Sequence, residues 1–231
     1  MTTAERLTQL KQDFDDVYNA GRRSQHDEFW DAFQNNGNRD NYQYAFGDGW
    51  NNINLKPKYD IKPISIGAAA MFKNCGFSGN LKEHFEKLGI TIDTSGATSV
   101  GSMFQNADKI TEVPFLDLST CTNTLGNTFN GCTSLVTLHL ELFEINKPVS
   151  TTFKDCQSLT DLTIDGTIVY VFNLEDSPKL TAKSIVSVIN ALSSKNGGSL
   201  TLSETAVNNA FTNDEWDALV ETKPNWTISL M

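Results

Sequence analysis

Histidine is scarce in this chain: His26, His84 and His139 are the only three in 231 residues. The four cysteines form no C-x-x-C pair and do not cluster with histidine, which argues against a zinc site. No nucleophile elbow, phosphate-binding loop, H-E-x-x-H or dinucleotide fingerprint occurs, so no catalytic motif or cofactor is expected and no metal ligand set is assigned. There is no apolar run of about 18 residues, so no membrane-spanning helix and no membrane insertion are expected. Basic residues are also sparse. Lysine and arginine number 18 against 28 acidic residues, and the net charge of −10 argues against a nucleic-acid or anionic-membrane partner, each of which wants a basic patch. The opening Met1-Thr2-Thr3-Ala4-Glu5-Arg6 lacks a basic region followed by an apolar one, so a secretory signal is not expected.

One phrase keeps returning. Phe129-Asn130-Gly131-Cys132-Thr133-Ser134-Leu135 leads into Val136-Thr137-Leu138-His139-Leu140. Phe153-Lys154-Asp155-Cys156-Gln157-Ser158-Leu159 leads into Thr160-Asp161-Leu162-Thr163-Ile164. With Phe as zero, Cys falls at +3 and aliphatics at +6, +9 and +11. A third copy starts at Phe104, with Ala107, Ile110, Val113 and Phe115 in those places. A fourth starts at Phe72 with Cys75, is interrupted from Gly76 to Gly89, and resumes a strand at Ile90-Thr91-Ile92. A degenerate fifth puts Leu174, Ser177 and Leu180 at zero, +3 and +6. The steps between starts are 32, 25, 24 and 21 residues. A period near 24 with single-residue alternation inside it predicts units that cannot bury an apolar side alone and stack on their neighbours. Cys75, Cys132 and Cys156 share one repeat position, which a ladder of buried free thiols explains without disulfides; Cys121 falls outside it.

The run Met103-Phe104 through Val113-Pro114-Phe115-Leu116-Asp117-Leu118-Ser119, with the two Cys-bearing copies after it, resembles the BspA-like class of leucine-rich repeats over residues 66–180. The resemblance implies an α/β fold, a leucine-rich-repeat solenoid with a curved parallel sheet. It also implies a setting on bacterial surface proteins or on minor structural proteins of phages and prophages.

The flanks differ in character. Residues 1–21 read as an N-terminal amphipathic helix, with Leu7, Leu10, Phe14 and Val17 at a and d of two heptads. Self-association, with a trimer favoured, and packing on the following segment are both open. Residues 22–65 form an aromatic-rich cap or connector that includes Trp30, Phe33, Tyr42, Tyr44, Phe46 and Trp50. This density reads either as a core covering the first repeat or as a carbohydrate platform. Within the interruption, Asn80 to Gly89 predicts a short helix with Leu81, Phe85 and Leu88 on one face. Residues 181–231 predict a helix from Thr181 to Asn196-Gly197-Gly198, a strand at Ser199–Leu202 and a second helix running from Ser203 or Glu204 through Leu219. A last strand follows at Trp226–Leu230, and the whole reads as C-terminal βα capping repeats.

If +9 and +11 face the core, +8, +10 and +12 face outward. That register selects Asp93, Glu112, Thr137, His139, Glu141, Asp161, Thr163 and Asp165, with Thr91 beside Asp93, as a candidate ligand-binding face. Thr201, Thr227 and Ser229 take equivalent outward places in the cap. The list is polar and acidic, and an ordinary solvated strand face reads the same way. His139 is the one candidate catalytic group on it, but the residue level with it on the next strand is Thr163 rather than an acid.

Three functions follow. The first is a non-enzymatic interaction protein: a phage virion appendage of tail or head fibre type, located on the virion and therefore extracellular. It would attach to other virion proteins through the N-terminal helix and recognise a host cell-surface glycan or protein. The absence of a signal sequence favours it, since a virion leaves the cell by lysis. The second is a bacterial cell-surface adhesin or interaction module. The third is a polysaccharide hydrolase using acids such as Glu141 and Asp161.

Overall fold

The computed structural model describes residues 61–123, 125–143 and 147–231, and before them Arg6, Gln9, Asp27, Glu28, Trp30, Asp31, Tyr42, Ala45, Phe46, Gly47 and Tyr59. The heptad residues Leu7, Leu10, Phe14 and Val17 lie outside the described residues.

Strands too short to be stable alone gain stability here by pairing in parallel with the strand one repeat away. In chain order the described elements are β1 (Gly79–Asn80), α1 (Leu81–Leu88), β2 (Ile110–Glu112), β3 (Leu116–Asp117), β4 (Thr137–Leu142) and β5 (Asp161–Gly166). They continue with β6 (Phe172–Leu174), α2 (Ala182–Ala191), β7 (Ser199–Leu202), α3 (Glu204–Ala210), α4 (Asn213–Glu221) and β8 (Thr227–Leu230). The fold is mixed α/β with a curled parallel sheet. β1, β2, β4 and β3 pair in that order and β5 pairs with β4, while β6, β7 and β8 form a second parallel set. The register carries the sequence period directly. Leu138 faces Leu162 and Leu140 faces Ile164, and these four side chains are buried.

On the far side of the strands, the phenylalanines at position zero form a ladder. Centroid separations are 5.2 Å for Phe46–Phe72, 4.8 Å for Phe72–Phe104, 5.7 Å for Phe104–Phe129 and 5.5 Å for Phe129–Phe153, all near-parallel, and a tilted 5.1 Å step reaches Phe172. Each buried ring contributes about 2–3 kcal/mol of apolar burial, and the pairs add to it. The backbone repeats with them. The Phe46, Phe72, Phe104 and Phe129 amides donate to Met71, Met103, Thr128 and Thr152 carbonyls, each one copy further on. Within each copy the +3 amide donates to the carbonyl at zero, from Cys75 to Phe72 through Ser177 to Leu174. Between these two residues the chain enters the left-handed region at +2, at Asn74, Asn106, Gly131 and Asp155, with φ of 53°, 58°, 78° and 60°. Asn, Asp and Gly are the residue types that tolerate it.

Several expectations need correcting. Straight alternation put Phe115 in the core, but it is 44% exposed and Leu116 is buried in its place. Glu112 pairs with Thr137 whereas Leu116 pairs with Leu140, so the chain gains one residue between them and the side chains change faces. Pro114 sits in that slip, where its missing N–H costs no ladder bond. Ile90-Thr91-Ile92 is not a strand. That copy's strand is β1, which pairs with β2 ahead of the inserted helix, although Ile90 and Ile92 are buried. Leu174 holds the backbone place of the fifth phenylalanine, but the ring in the ladder is Phe172.

The second C-terminal helix is two helices. Phe211 turns extended and ends α3, and Thr212 opens α4 with a capping box to Glu215. Helix α2 ends at Ala191, ahead of the Asn196-Gly197-Gly198 turn. The inserted helix fits its expectation. Asn80 caps it, Gly89 ends it in the left-handed region, and Phe85 lies 5.6 and 5.8 Å from Phe46 and Phe72. In the aromatic-rich segment, Trp30, Tyr42 and Phe46 are buried as core packing, Tyr59 is partly exposed with its hydroxyl donating to Asp31 at 2.6 Å, and Phe33, Tyr44 and Trp50 lie outside the described residues.

Candidate functional site

The outer face of β2 to β5 is a small grid whose rows follow from strand register. Glu112, Thr137 and Asp161 are level on β2, β4 and β5. His139 is level with Thr163 on the next strand, as the spacing requires. Asp117, Glu141 and Asp165 are level on β3, β4 and β5. Neighbouring strands lie about 4.8 Å apart, so each row places its side chains within reach of one another. Phe115, turned out by the slip, joins the middle row. Its ring lies 4.7 Å from the His139 ring at 60°.

The grid is not uniformly available. Glu112 is held from the side, accepting from Asn80 Nδ2 at 2.8 Å and lying 3.4 Å from Lys82 Nζ. It therefore pins the inserted helix to the sheet. Asp161 accepts from the Thr160 hydroxyl at 3.0 Å. His139 Nε2 is 2.6 Å from Asp165 Oδ2, a diagonal pair whose side chains are 46% and 57% exposed. A contact this open to water adds little stability. Asp117 Oδ1 accepts from the Ser119 amide at 2.8 Å. Asp93 caps a similar turn, accepting from the Ser95 amide and hydroxyl, and it extends the last row, since Thr94 Oγ1 donates to the Asp117 carbonyl. Thr137, level with Glu112 and Asp161, and Thr163, level with His139, are half-buried. Of the paired acids proposed for hydrolysis, Glu141 and Asp161 stand two rows apart.

Two residues of this face escaped the spacing argument, Phe115 and Asp117. A signal for both was present. Asp93, Asp117, Glu141 and Asp165 follow one another at intervals of 24 residues, which fixes the true register, and Pro114 marks the slip.

Beneath the face, the thiols are structural. Cys132 Sγ donates to the Phe104 carbonyl at 3.1 Å and Cys156 Sγ to Phe129 at 3.3 Å, each reaching back one copy. Burial pushes the Cys132 thiol up to about 12 and raises Cys75, Cys121 and Cys156 as well. Thiols held so far from thiolate are poor nucleophiles and poor metal ligands. Among the described residues, no three His, Cys, Asp or Glu side chains are arranged to hold a metal ion, and no helix is long and apolar enough to cross a membrane. No protein-family model, curated protein or solved structure matches the chain.

Proposed function

We propose that this chain is a leucine-rich-repeat solenoid acting as a non-enzymatic interaction protein. In this reading it is a virion appendage that binds a host cell-surface molecule through the outer face of β2 to β5. The repeat reading is supported by copies lying one period apart in the strand register, by the phenylalanine ladder, and by thiols that each reach the carbonyl of the preceding copy. The observation that carries the binding reading is the grid itself. Adjacent parallel strands present a broad, shallow array of exposed and half-buried polar groups around an outward-turned aromatic ring. Such an array suits surface recognition, in which many modest contacts act together, and avidity compensates when several copies are held on one particle.

The test is fluorescent full-length protein on a panel of intact bacteria, read by flow cytometry, with reducing-sugar release measured in parallel. Saturable binding to some strains, competed by unlabelled protein and without sugar release, is the expected result. Absence of saturable binding throughout, or turnover of a cell polysaccharide, would overturn the proposal. Light scattering on the full chain and on a chain starting at Arg22 tests the attachment role of Leu7, Leu10, Phe14 and Val17. A trimer that becomes a monomer on truncation supports it, and a monomer in both removes it.

A further inference from the structure

A phenylalanine on the water-facing side of a sheet is unfavourable unless something covers it. Phe115 is 44% exposed, and one residue of slip is all that separates it from the core position that Leu116 fills. It is also not loose. The His139 ring meets it at 4.7 Å, and His139 is itself fixed by Asp165 at 2.6 Å. Phe115 is therefore a small platform held from one side by the tilted His139 ring, with close to half of the residue open to solvent.

The surroundings decide what that platform fits. One flanking row carries Glu112 and Asp161, and the other carries Asp117, Glu141 and Asp165. Among the described residues, Lys82 is the lysine paired with an acid of the grid, and Glu112 engages it. Like charges directly opposite on neighbouring strands repel, so the row Asp117–Glu141–Asp165 stands at a cost that a bound cation would relieve. An anionic ligand would add to that repulsion. A neutral sugar would meet the ring but leave the charge uncompensated. A guanidinium satisfies both features: its plane stacks on an aromatic face, and its fork of N–H donors matches carboxylates in pairs. Resting on the host-recognition reading above, we infer that this face binds an arginine-bearing segment of a protein partner. The guanidinium lies over Phe115 and donates to Glu141 and Asp117, which stand level with each other in the adjoining row on β4 and β3. Phe115 sets the position and the carboxylates set the charge.

The probe is a fluorescein-labelled (Gly-Arg)4 peptide, with its citrulline counterpart as an isosteric neutral control, titrated by anisotropy into the full-length protein at physiological salt. The citrulline peptide is expected to bind at least about tenfold more weakly, because the charge-assisted bonds are lost. Phe115→Leu, which keeps every charge, should weaken arginine-peptide binding about threefold, the size of an exposed cation–π contact. Glu141→Gln should weaken it by about threefold to tenfold, and Glu221→Gln, remote on α4, should leave it unchanged. Far-UV circular dichroism checks that each variant is folded, and the near-isosteric Glu141→Gln keeps the test valid if Phe115→Leu is not.

Equal losses in Glu221→Gln and Glu141→Gln, or no loss in Phe115→Leu, would mean diffuse attraction to an acidic protein and would overturn the inference. Binding of neutral oligosaccharides that depends on Phe115, with no binding of the arginine peptide, would overturn it in favour of a glycan. The same proteins on intact bacteria separate the two levels. Cell binding that survives both variants refutes the arginine site alone, and absence of cell binding by the unaltered protein refutes the host-recognition reading.

Discussion

Alanine substitutions at Phe115 and Leu116, one at a time, give opposite rankings under the two possible registers. Under straight alternation from Val113, Phe115 is a core ring and Leu116 a surface residue. In the structure, Leu116 is fully buried against the sheet core and Phe115 retains close to half of its exposure. Truncating a fully buried leucine removes its transfer free energy and leaves a cavity, a loss of about 3 kcal/mol at a site of this kind. Truncating Phe115 loses the contact with His139 and the buried part of the ring, about 1 kcal/mol. For a chain of this size, each kcal/mol shifts the melting midpoint by about 2–4 °C. Leu116→Ala should therefore melt about 6–12 °C below the parent and Phe115→Ala about 2–4 °C below. Urea unfolding followed by far-UV circular dichroism gives the free-energy difference directly, from midpoints at a shared slope. A Phe115→Ala loss equal to or larger than that of Leu116→Ala would refute the slip at Pro114, and with it the placement of Phe115 on the outer face.

Other expectations follow from single side chains. Ser177 occupies the repeat position of Cys132 and Cys156 but is buried with no hydrogen-bond partner for its hydroxyl, so Ser177→Ala should stabilise by about 1 kcal/mol in the same urea assay. All four thiols are buried and free, so a thiol reagent at pH 8 should label none in native protein and four in urea. Their raised values have a direction: a thiol held neutral by burial stabilises the fold fully below its ordinary value of 9.0. That contribution is lost as pH climbs towards the folded value, about 12 for Cys132, so an alkaline unfolding limb should begin above pH 9 and weaken in Cys132→Ala. Glu215 is shifted the other way, held below its ordinary 4.5 by the hydrogen bonds from the Thr212 amide and hydroxyl. Its stabilisation is present above pH 4.5 and lost as pH falls through the lower folded value. Melting curves of Glu215→Gln should therefore lose part of the acid dependence.

The sequence alone determined what repeats. Phe, Cys and the spaced aliphatics are local signals whose period does not depend on the partner, so the parallel pairing, the buried thiol ladder, the inserted helix up to Gly89, and the acids of β4 and β5 could all be read directly. It also held, unread, the Asn, Asp or Gly at +2 that the left-handed turn requires. Tertiary structure decided the rest. Which way Phe115 faces depends on where one extra residue is absorbed between Glu112 and Leu116, and only pairing with β4 fixes that. That Phe46 belongs to the ladder and that Phe172 replaces Leu174 in it depend on rings from distant segments stacking across copies. Glu112 reads as a free outward acid until Asn80 and Lys82 are brought against it from the inserted helix. A period tells which residues are equivalent, but a single inserted residue reverses inside and outside beyond it, because side chains alternate with every residue along a strand.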